Sequence, residues 1–175
     1  QHTSPSGSSQ ATPLRSHTLT RSWPTSGAWY STMQVGKSTA VSERPLTVLV
    51  YSDDVTVRNA VRTALGRRPA ADLPLVSYED FATEAALLRR ISQGGVDLAI
   101  LDGEAVPSGG MGISVRMRRE IHNAPPVLLL TGRPQDAWLA TWSQAEAVVP
   151  HPIDPLVLAR TTASLLRPRV AVTSA

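Results

Sequence analysis

Four short apolar runs, each followed at once by a polar residue, constrain the fold of this chain more than any other feature. They are residues 48–51 before Ser52, Asp53 and Asp54, residues 98–101 before Asp102, residues 127–130 before Thr131, and residues 148–150 before His151. Runs that are apolar at every position are typical of parallel strands covered on both faces. Because functional side chains of such sheets collect beyond the carboxyl ends of the strands, the sequence predicts three acids, a hydroxyl and an imidazole on one edge.

The segments between these runs carry apolar residues at helical spacing, so strands and helices alternate from residue 46 onward. The predicted strands are 46–51, 73–78, 96–101, 127–130 and 147–149, and the predicted helices are 55–65, 84–92, 112–122, 135–143 and 155–166. Asp54, Thr83 and Asp154 are predicted N-caps, Gly66 a helix stop, and Pro168 the end of the last helix. Five βα units predict an α/β fold, a three-layer α/β/α sandwich around a five-stranded parallel sheet.

Composition separates a polar N-terminal segment from this folded region. Residues 1–44 are rich in Ser, Thr, Pro and Gly and lack apolar periodicity, so we expect a disordered tail there. The tail superficially resembles a transit peptide, but vector-derived or upstream sequence is the favoured interpretation, with Met33 as a candidate native start. We expect one domain over residues 45–167 and a short C-terminal tail over 168–175.

The charge balance and residue usage exclude several classes of function. The net charge of +3 lies in residues 1–44, because residues 45–175 hold 13 Arg and 13 acidic residues. We therefore expect no nucleic-acid partner. The chain has no cysteine, which excludes disulfides and Cys-ligated metals and is compatible with the cytoplasmic location that we expect. No apolar stretch approaches the roughly 20 residues that span a bilayer, so we expect no membrane insertion.

The polar groups at the strand ends suit chemistry on a phosphoryl group. Mg²⁺ takes oxygen ligands and commonly binds through one or two carboxylates together with phosphate oxygens and water. A hydroxyl can hydrogen-bond a phosphoryl oxygen, a basic group can neutralise its charge, and a carboxylate can attack phosphorus as a nucleophile. The sequence has no P-loop lysine, no dinucleotide glycine spacing and no Ser-His-Asp order, so these other chemistries are not favoured.

From about residue 46 to residue 166 the chain resembles the response-regulator receiver (CheY-like) family. The matching segments are VLVYSDDVTVR, VDLAILD, VLLLTG and VVPHPIDP, which stand in the order and spacing of the family. The resemblance implies a flavodoxin-like sheet with strand order 2-1-3-4-5. It also implies that Asp102 is the phospho-acceptor, that Thr131 is the switch hydroxyl, and that Arg58 matches a frequent arginine of the first helix.

The same resemblance implies a magnesium site and a basic residue beside the acceptor. Mg²⁺ would be held by Asp53, Asp102 and the backbone carbonyl near Glu104. His151 stands at the position of the family's lysine, before Pro152, where the family commonly has a cis peptide bond.

Several departures from the family pattern predict that this site is weakened. Ser52 replaces the first acid of the pair, which removes one negative charge from the metal site. His151 replaces a lysine and is mostly neutral at pH 7. Val148 stands at the usual switch aromatic, and the loop after Asp102 is about two residues longer than in the family, judged from the positions of its proline and glycine.

We therefore expect an atypical single-domain receiver that acts by contact with a sensor histidine kinase or another signalling protein. Phosphorylation of Asp102 is expected to be weak or absent, with a silent site favoured, and no enzymatic activity is expected. The alternative is a Mg²⁺-dependent phosphohydrolase with Asp102 as nucleophile.

A pair of tryptophans gives a second hypothesis about partners. Trp138 and Trp142 are four residues apart and share one face of the predicted fourth helix. Packing in the core is the favoured interpretation. The alternative is a partner surface, which would include a homodimer through the helix 4–strand 5–helix 5 face.

Overall fold

The computed structural model describes residues 44–173, so the predicted N-terminal tail and Met33 lie outside the described residues, except for Arg44. One parallel sheet has the order β2-β1-β3-β4-β5. Its strands are β1 (Leu46–Tyr51), β2 (Val76–Phe81), β3 (Leu98–Asp102), β4 (Val127–Thr131) and β5 (Ala147–Pro150). The predicted flavodoxin-like fold and strand order are confirmed.

Helices cover both faces of the sheet. They are α1 (Val55–Leu65), α2 (Glu84–Ser92), α3 (Gly110–Glu120), α4 (Leu139–Ser143) and α5 (Pro155–Thr173), with a 3-10 helix (Pro134–Trp138) directly before α4. Alternate residues of β1 point to opposite faces. Val48 and Val50 pack with residues of α1 and α5, whereas Leu49 and Tyr51 pack with residues of α2 and α3. No described helix has the length and apolar character needed to cross a membrane.

The central strands show why continuous apolar runs were informative. Every residue of β3 and of β4 is buried, including the polar residues that end them, Asp102 and Thr131. A strand covered by helices on both faces has no position that tolerates exposure, so its sequence does not alternate. This burial places both polar side chains at the same edge of the sheet.

The second strand begins three residues later than the predicted 73–78. Leu73 is buried, but its N–H donates to the carbonyl of Ala70 at 3.1 Å in a turn that precedes β2. β2 is an edge strand with mixed exposure, and a strand without a clearly buried face specifies its register weakly.

The predicted end of the last helix at Pro168 is wrong, because α5 continues to Thr173 and takes in most of the predicted C-terminal tail. Proline cannot donate to the carbonyl of Ser164, but both residues are exposed and water can satisfy that carbonyl. Beyond the proline, the Arg169 guanidinium reaches the Val96 carbonyl at 3.5 Å, which ties the last turns of α5 to the domain.

The predicted helix caps have mixed outcomes. Asp54 accepts from the backbone N–H of Thr56 at 2.7 Å, and Asp154 accepts from two N–H groups at the start of α5. Thr83 occupies the N-cap of α2 but makes no side-chain hydrogen bond there. The predicted helix 135–143 is divided into the 3-10 helix and the short α4.

Asp97, directly before β3, fastens the start of the sheet. Its carboxylate is 3% exposed and accepts from the Thr47 N–H at 2.8 Å and from both terminal nitrogens of Arg44 at 3.0 and 2.9 Å. The hydrogen bond to Asp97 raises the pKa of the Arg44 guanidinium. Arg44 therefore belongs to the folded domain, although the composition of residues 1–44 placed it in the predicted tail.

We expect Asp97→Ala to lower the free energy of unfolding by about 2 kcal/mol, because it leaves a strand N–H and a guanidinium without their acceptor. Urea denaturation followed by circular dichroism measures this change. Asp72→Ala is the matched control, since it breaks an ion pair with Arg167 in which the two side chains are 52% and 56% exposed. The control should leave the midpoint unchanged, and equal losses in the two variants would contradict the anchoring role of Asp97.

Candidate functional site

The carboxyl ends of β1, β3, β4 and β5 bring the predicted polar residues to one edge. Asp102 ends β3, Thr131 ends β4, and Ser52 follows β1. His151 follows β5, and its backbone N–H donates to the Thr131 carbonyl at 2.7 Å. The edge site predicted from the strand ends is therefore present as a geometrical arrangement.

Asp102 lies at the centre of this edge and is only 3% exposed. Its Oδ2 accepts from the Ser52 hydroxyl at 2.7 Å, and its Oδ1 accepts from the backbone N–H of Glu104 at 3.0 Å. Burial of an isolated carboxylate is costly, whereas hydrogen bonds to both of its oxygens offset that cost. Asp102 is therefore a carboxylate that hydrogen bonds stabilise at the edge formed by the carboxyl ends of the strands.

Ser52 is fully buried and uses both functions of its hydroxyl. It donates to Asp102 and accepts from the backbone N–H of Asp54 at 3.1 Å. A carboxylate at this position would repel Asp102 unless a cation lay between them. The serine instead makes an attractive contact that needs no cation.

The turn after β1 is held by its own side chains. Asp54 caps α1, which confirms the capping role predicted for it, and Asp53 is exposed. The Arg58 guanidinium donates to the carbonyls of Ser52 and Asp53, the second at 3.2 Å. Arg58 thus fixes the backbone that presents Ser52 and Asp53 and places a positive charge beside them.

The Glu104 side chain extends from the loop after β3 to the end of β4. Its Oε1 accepts from the Gly132 N–H at 3.2 Å, immediately after Thr131. A Cβ atom at Gly132 would lie 2.8 Å from the Glu104 Cδ, so the contact requires glycine at this position. The exposed Glu104 side chain therefore links the loop after β3 to the end of β4.

A magnesium ion fits these side chains poorly in the arrangement that the structure shows. Within residues 44–173 no group of three or more Asp, Glu or His side chains is placed to hold a metal. Each oxygen of the Asp102 carboxylate already accepts one hydrogen bond, Oδ2 from the Ser52 hydroxyl and Oδ1 from the Glu104 N–H. Of the two predicted metal-binding carboxylates, Asp102 is buried and Asp53 is exposed.

The remaining two predicted site residues, Thr131 and His151, lie close to Asp102 without a hydrogen bond to it. The Thr131 side chain is buried, and its hydroxyl donates to the Arg133 carbonyl at 3.3 Å. The His151 Nε2 lies 3.9 Å from Asp102 Oδ1, with the side chain 27% exposed, and the His151–Pro152 peptide bond is cis. Both residues can approach a group placed on Asp102, because both lie on the edge where that group would project.

Sequence reasoning missed the contacts that hold the loop of residues 103–109. The Tyr51 hydroxyl donates to the Ser108 carbonyl at 2.7 Å, and the Ser108 side chain hydrogen-bonds Glu84 and lowers the pKa of that carboxyl. Burial raises the pKa of the Tyr51 phenol, and it is raised further by three nearby carboxylates, those of Glu84, Asp53 and Asp102. The one available signal was a tyrosine at the end of an otherwise aliphatic strand.

The prediction that the tryptophans pack in the core is wrong. Trp138 is 68% exposed and Trp142 is 59% exposed. They line an open groove of about 390 Å³ together with three residues at the start of α3, Gly109, Met111 and Gly112. The described lining of the groove comes from α3, the 3-10 helix and α4, not from α5. A surface patch of this kind is typical of a protein contact.

Comparison with known proteins agrees with this geometry. No protein-family model matches the chain. Among solved structures, the chemotaxis protein CheY4 of Vibrio cholerae is 21% identical with a TM-score of 0.56, and the alignment covers 70% of this chain and 100% of that one. A signal receiver domain of an HD-domain protein from Pseudomonas fluorescens is 18% identical with a TM-score of 0.60, covering 76% and 94%.

A third structure is the receiver domain of Ssk1 from Saccharomyces cerevisiae, crystallised with the histidine phosphotransfer signalling protein Ypd1. It is 16% identical with a TM-score of 0.60, and the alignment covers 72% of this chain and 92% of that one. At these identities the structural neighbours show the fold.

The sequence relatives show more. Uncharacterised response regulatory proteins from two strains of Mycobacterium tuberculosis are each 56% identical over 126 residues, which are 72% of this chain and 95% of the relative. An identity this high over nearly the whole relative, together with a five-stranded receiver fold that carries an acid at the end of β3, means that the chain belongs to the response-regulator receiver family.

Proposed function

We propose that this protein is an atypical receiver of two-component-type signal transduction, which acts by contact with other proteins and accepts a phosphoryl group only weakly on Asp102. The observation that carries the proposal is the hydrogen bond of 2.7 Å from the Ser52 hydroxyl to the Asp102 carboxylate. It keeps a nucleophilic carboxylate in place and at the same time satisfies it without a metal ion.

The chemistry available to Asp102 is simple. A carboxylate oxygen attacks the phosphorus of a donor such as acetyl phosphate, the bond from phosphorus to the acetyl oxygen breaks, and acetate leaves. Asp102 is the ionisable side chain at the centre of the edge, and Thr131 and His151 lie where they can approach the transferred group. The positions of these residues favour acceptance of a phosphoryl group on Asp102. The hydrogen bonds that already engage Asp102 and Thr131 oppose it.

Two substitutions account for the proposed weakness. Serine at position 52 lowers the negative charge that would attract Mg²⁺ to Asp53, Asp102 and the Glu104 carbonyl, so we propose a weak magnesium site. Histidine at position 151 supplies less positive charge than lysine for a developing phosphoryl anion. Its Nε2 lies 3.9 Å from the acceptor oxygen, beyond hydrogen-bond distance.

The phosphohydrolase alternative gains no support from the site. A hydrolase that used Asp102 as nucleophile would need a free acid–base group close to the leaving atom. The nearest carboxylate along the chain, Glu104, is held on the Gly132 amide.

We also propose that the partner is a sensor kinase or another signalling protein, acting in the cytoplasm. One structural neighbour was crystallised with a histidine phosphotransfer protein, which supports a partner of this class. The groove lined by Trp138 and Trp142 is the proposed contact surface, and the expected homodimer would use the same tryptophans, because exposed aromatic side chains contribute most to such interfaces.

Phosphorylation of Asp102 tests the main proposal. With acetyl phosphate and Mg²⁺, we expect the wild-type protein to gain the mass of one phosphoryl group slowly and Asp102→Asn to gain none. Ser52→Asp adds a third carboxylate near the cation, beside Asp53 and Asp102, and should raise the rate on the order of tenfold. Intact-mass spectrometry over time measures all three proteins.

A stability measurement provides the control for Ser52→Asp. Without Mg²⁺ the variant should melt at a lower temperature than the wild type, since two carboxylates then face each other, and Mg²⁺ should raise its melting temperature more than that of the wild type. A wild-type protein that gains no phosphoryl group would show that the acceptor is silent, and the proposal of weak acceptance would be abandoned.

The contact surface has its own test. Sedimentation velocity over a concentration series should show self-association of the wild type, and the double variant Trp138→Ala, Trp142→Ala should stay monomeric. Val55→Ala, which removes another exposed apolar side chain at the start of α1 and away from this face, is the control. A wild type that is monomeric at every concentration would exclude the homodimer, and equal effects in both variants would exclude a specific role of the tryptophans.

A further inference from the structure

The edge at which the strands begin, which we call the amino edge, lies at the opposite end of the sheet from Asp102. Because α1, α2 and α3 run antiparallel to the strands, their last turns also lie at this edge. Within residues 44–173, each acidic residue of the amino edge already has an arginine partner. The pairs are Asp97 with Arg44, Asp72 with Arg167, Glu146 with Arg118 and Glu120 with Arg116.

Four further arginines of the amino edge are exposed and have no acidic partner in the described part of the chain. Arg67 and Arg68 follow the end of α1, and the Arg67 carbonyl accepts from the N–H of Val76 at the start of β2 at 2.9 Å. Arg89 lies in the last turn of α2, and Arg119 lies in the last turn of α3. Their guanidinium groups are therefore uncompensated positive charges in contact with solvent.

A cavity of about 410 Å³ between the ends of α2 and α3 gives this edge depth. Its lining includes Arg44, His122 and Arg169, which come from three separate parts of the chain. A neighbouring cavity of about 420 Å³ shares His122 and is lined also by Arg118 and Arg119. Basic side chains thus surround recesses into which an anionic side chain can insert.

The acceptor edge has the opposite charge. Asp53, Asp54, Glu104 and Asp154 are exposed there. Residues 45–175 hold equal numbers of arginines and acidic residues, so the domain is neutral as a whole while its charges are separated between the two edges. Because a separated charge distribution orients a charged partner, an anionic partner is attracted to the amino edge and repelled by the acceptor edge.

Stabilisation of the helices accounts for only part of this pattern. A helix C-terminus carries partial negative charge and favours a nearby cation, which applies to Arg89 and Arg119. This effect falls off beyond the last turn, and Arg67 and Arg68 lie outside α1, after its C-cap Gly66. A binding role accounts for both pairs of arginines.

An acidic protein surface fits the amino edge better than a nucleic acid does. A DNA duplex presents about one phosphate charge per 1.7 Å of its axis, and this continuous charge would also meet the C-termini of the helices, which repel it. Carboxylates on a protein are discrete and can be spaced to meet the four unpaired arginines. A guanidinium binds such a carboxylate through two parallel hydrogen bonds.

We propose that the amino edge is a second interaction surface, which binds an acidic protein surface through Arg67, Arg68, Arg89 and Arg119. A partner bound there leaves the acceptor edge uncovered. The interaction requires no phosphoryl group on Asp102, so its test is independent of the proposed phosphorylation.

A fluorescein-labelled polyglutamate peptide is the probe for this surface, and fluorescence anisotropy at low ionic strength measures its Kd. We expect the wild type to bind it and the binding to weaken as salt is added. The double variants Arg89→Gln, Arg119→Gln and Arg67→Gln, Arg68→Gln should each raise the Kd about fivefold, as expected for the loss of two exposed ion pairs. A wild type that does not bind the peptide would overturn the proposal.

The matched control is the double variant Arg133→Gln, Arg160→Gln, which removes the same two positive charges from exposed positions after β4 and near the start of α5. Its Kd should stay within twofold of that of the wild type. An equal loss of affinity in the control would mean that net charge alone sets the binding, and the assignment of the amino edge would fail.

Two further measurements make the test specific. In NMR titrations of the wild type, polyglutamate should shift the amide signals of residues 66–69, 89–95 and 118–123 more than those at the acceptor edge, and the reverse pattern would contradict the proposal. A DNA duplex serves as the competitor. If the duplex binds more tightly than polyglutamate and the same arginine variants weaken it, the partner is a nucleic acid and the proposed acidic protein is wrong.

Discussion

The buried carboxylate of Asp102 is the group around which the functional edge of this protein is organised. A parallel sheet covered on both faces leaves few places for a charge, and Asp102, at 3% exposure, needs a donor for each oxygen. The Ser52 hydroxyl and the Glu104 N–H supply them, and each belongs to a loop that leaves a central strand. The geometry of both loops is therefore tied to the acceptor, and a change of charge at Asp102 acts on both of them.

The substitution at position 52 changes the electrostatic character of the edge rather than its shape. Two facing carboxylates repel each other unless a divalent cation lies between them. A serine hydroxyl and an aspartate carboxylate instead attract each other through a hydrogen bond and need no cation. Arg58 adds a positive charge at the same turn through the carbonyls of Ser52 and Asp53. Both effects lower the attraction of the site for a cation, and they are the basis of the weak magnesium site that we propose.

Much of this could be predicted from the sequence, because full burial leaves a strong pattern. β3 and β4 are apolar at nearly every position, so both strands and the polar residues that end them were predictable, although β3 begins two residues later than the predicted 96–101. The start of β2 was not predictable, since an edge strand has no clearly buried face. The continuation of α5 through Pro168, on an exposed face of the helix, was not predictable either. The contact of Glu104 with Gly132 could not be predicted, because it joins residues 28 positions apart through a side chain whose direction local sequence does not set.

The loop of residues 103–109 connects the acceptor to the surface proposed for partners. It begins beside Asp102 with Glu104, and it ends at Gly109, which lines the groove of Trp138 and Trp142. Between these points the Tyr51 hydroxyl and the Glu84 carboxylate hold Ser108, so the loop is fastened to β1 and α2. Val148 takes the place of the family's switch aromatic and packs against the core, so β5 carries no ring at this position, and the loop of residues 103–109 runs from Asp102 to the lining of the groove. Glu104 lies beside Asp102 and only a few positions from the groove along this tethered segment. We therefore expect any communication between Asp102 and the groove to run through the loop after β3 rather than through a rotating ring on β5.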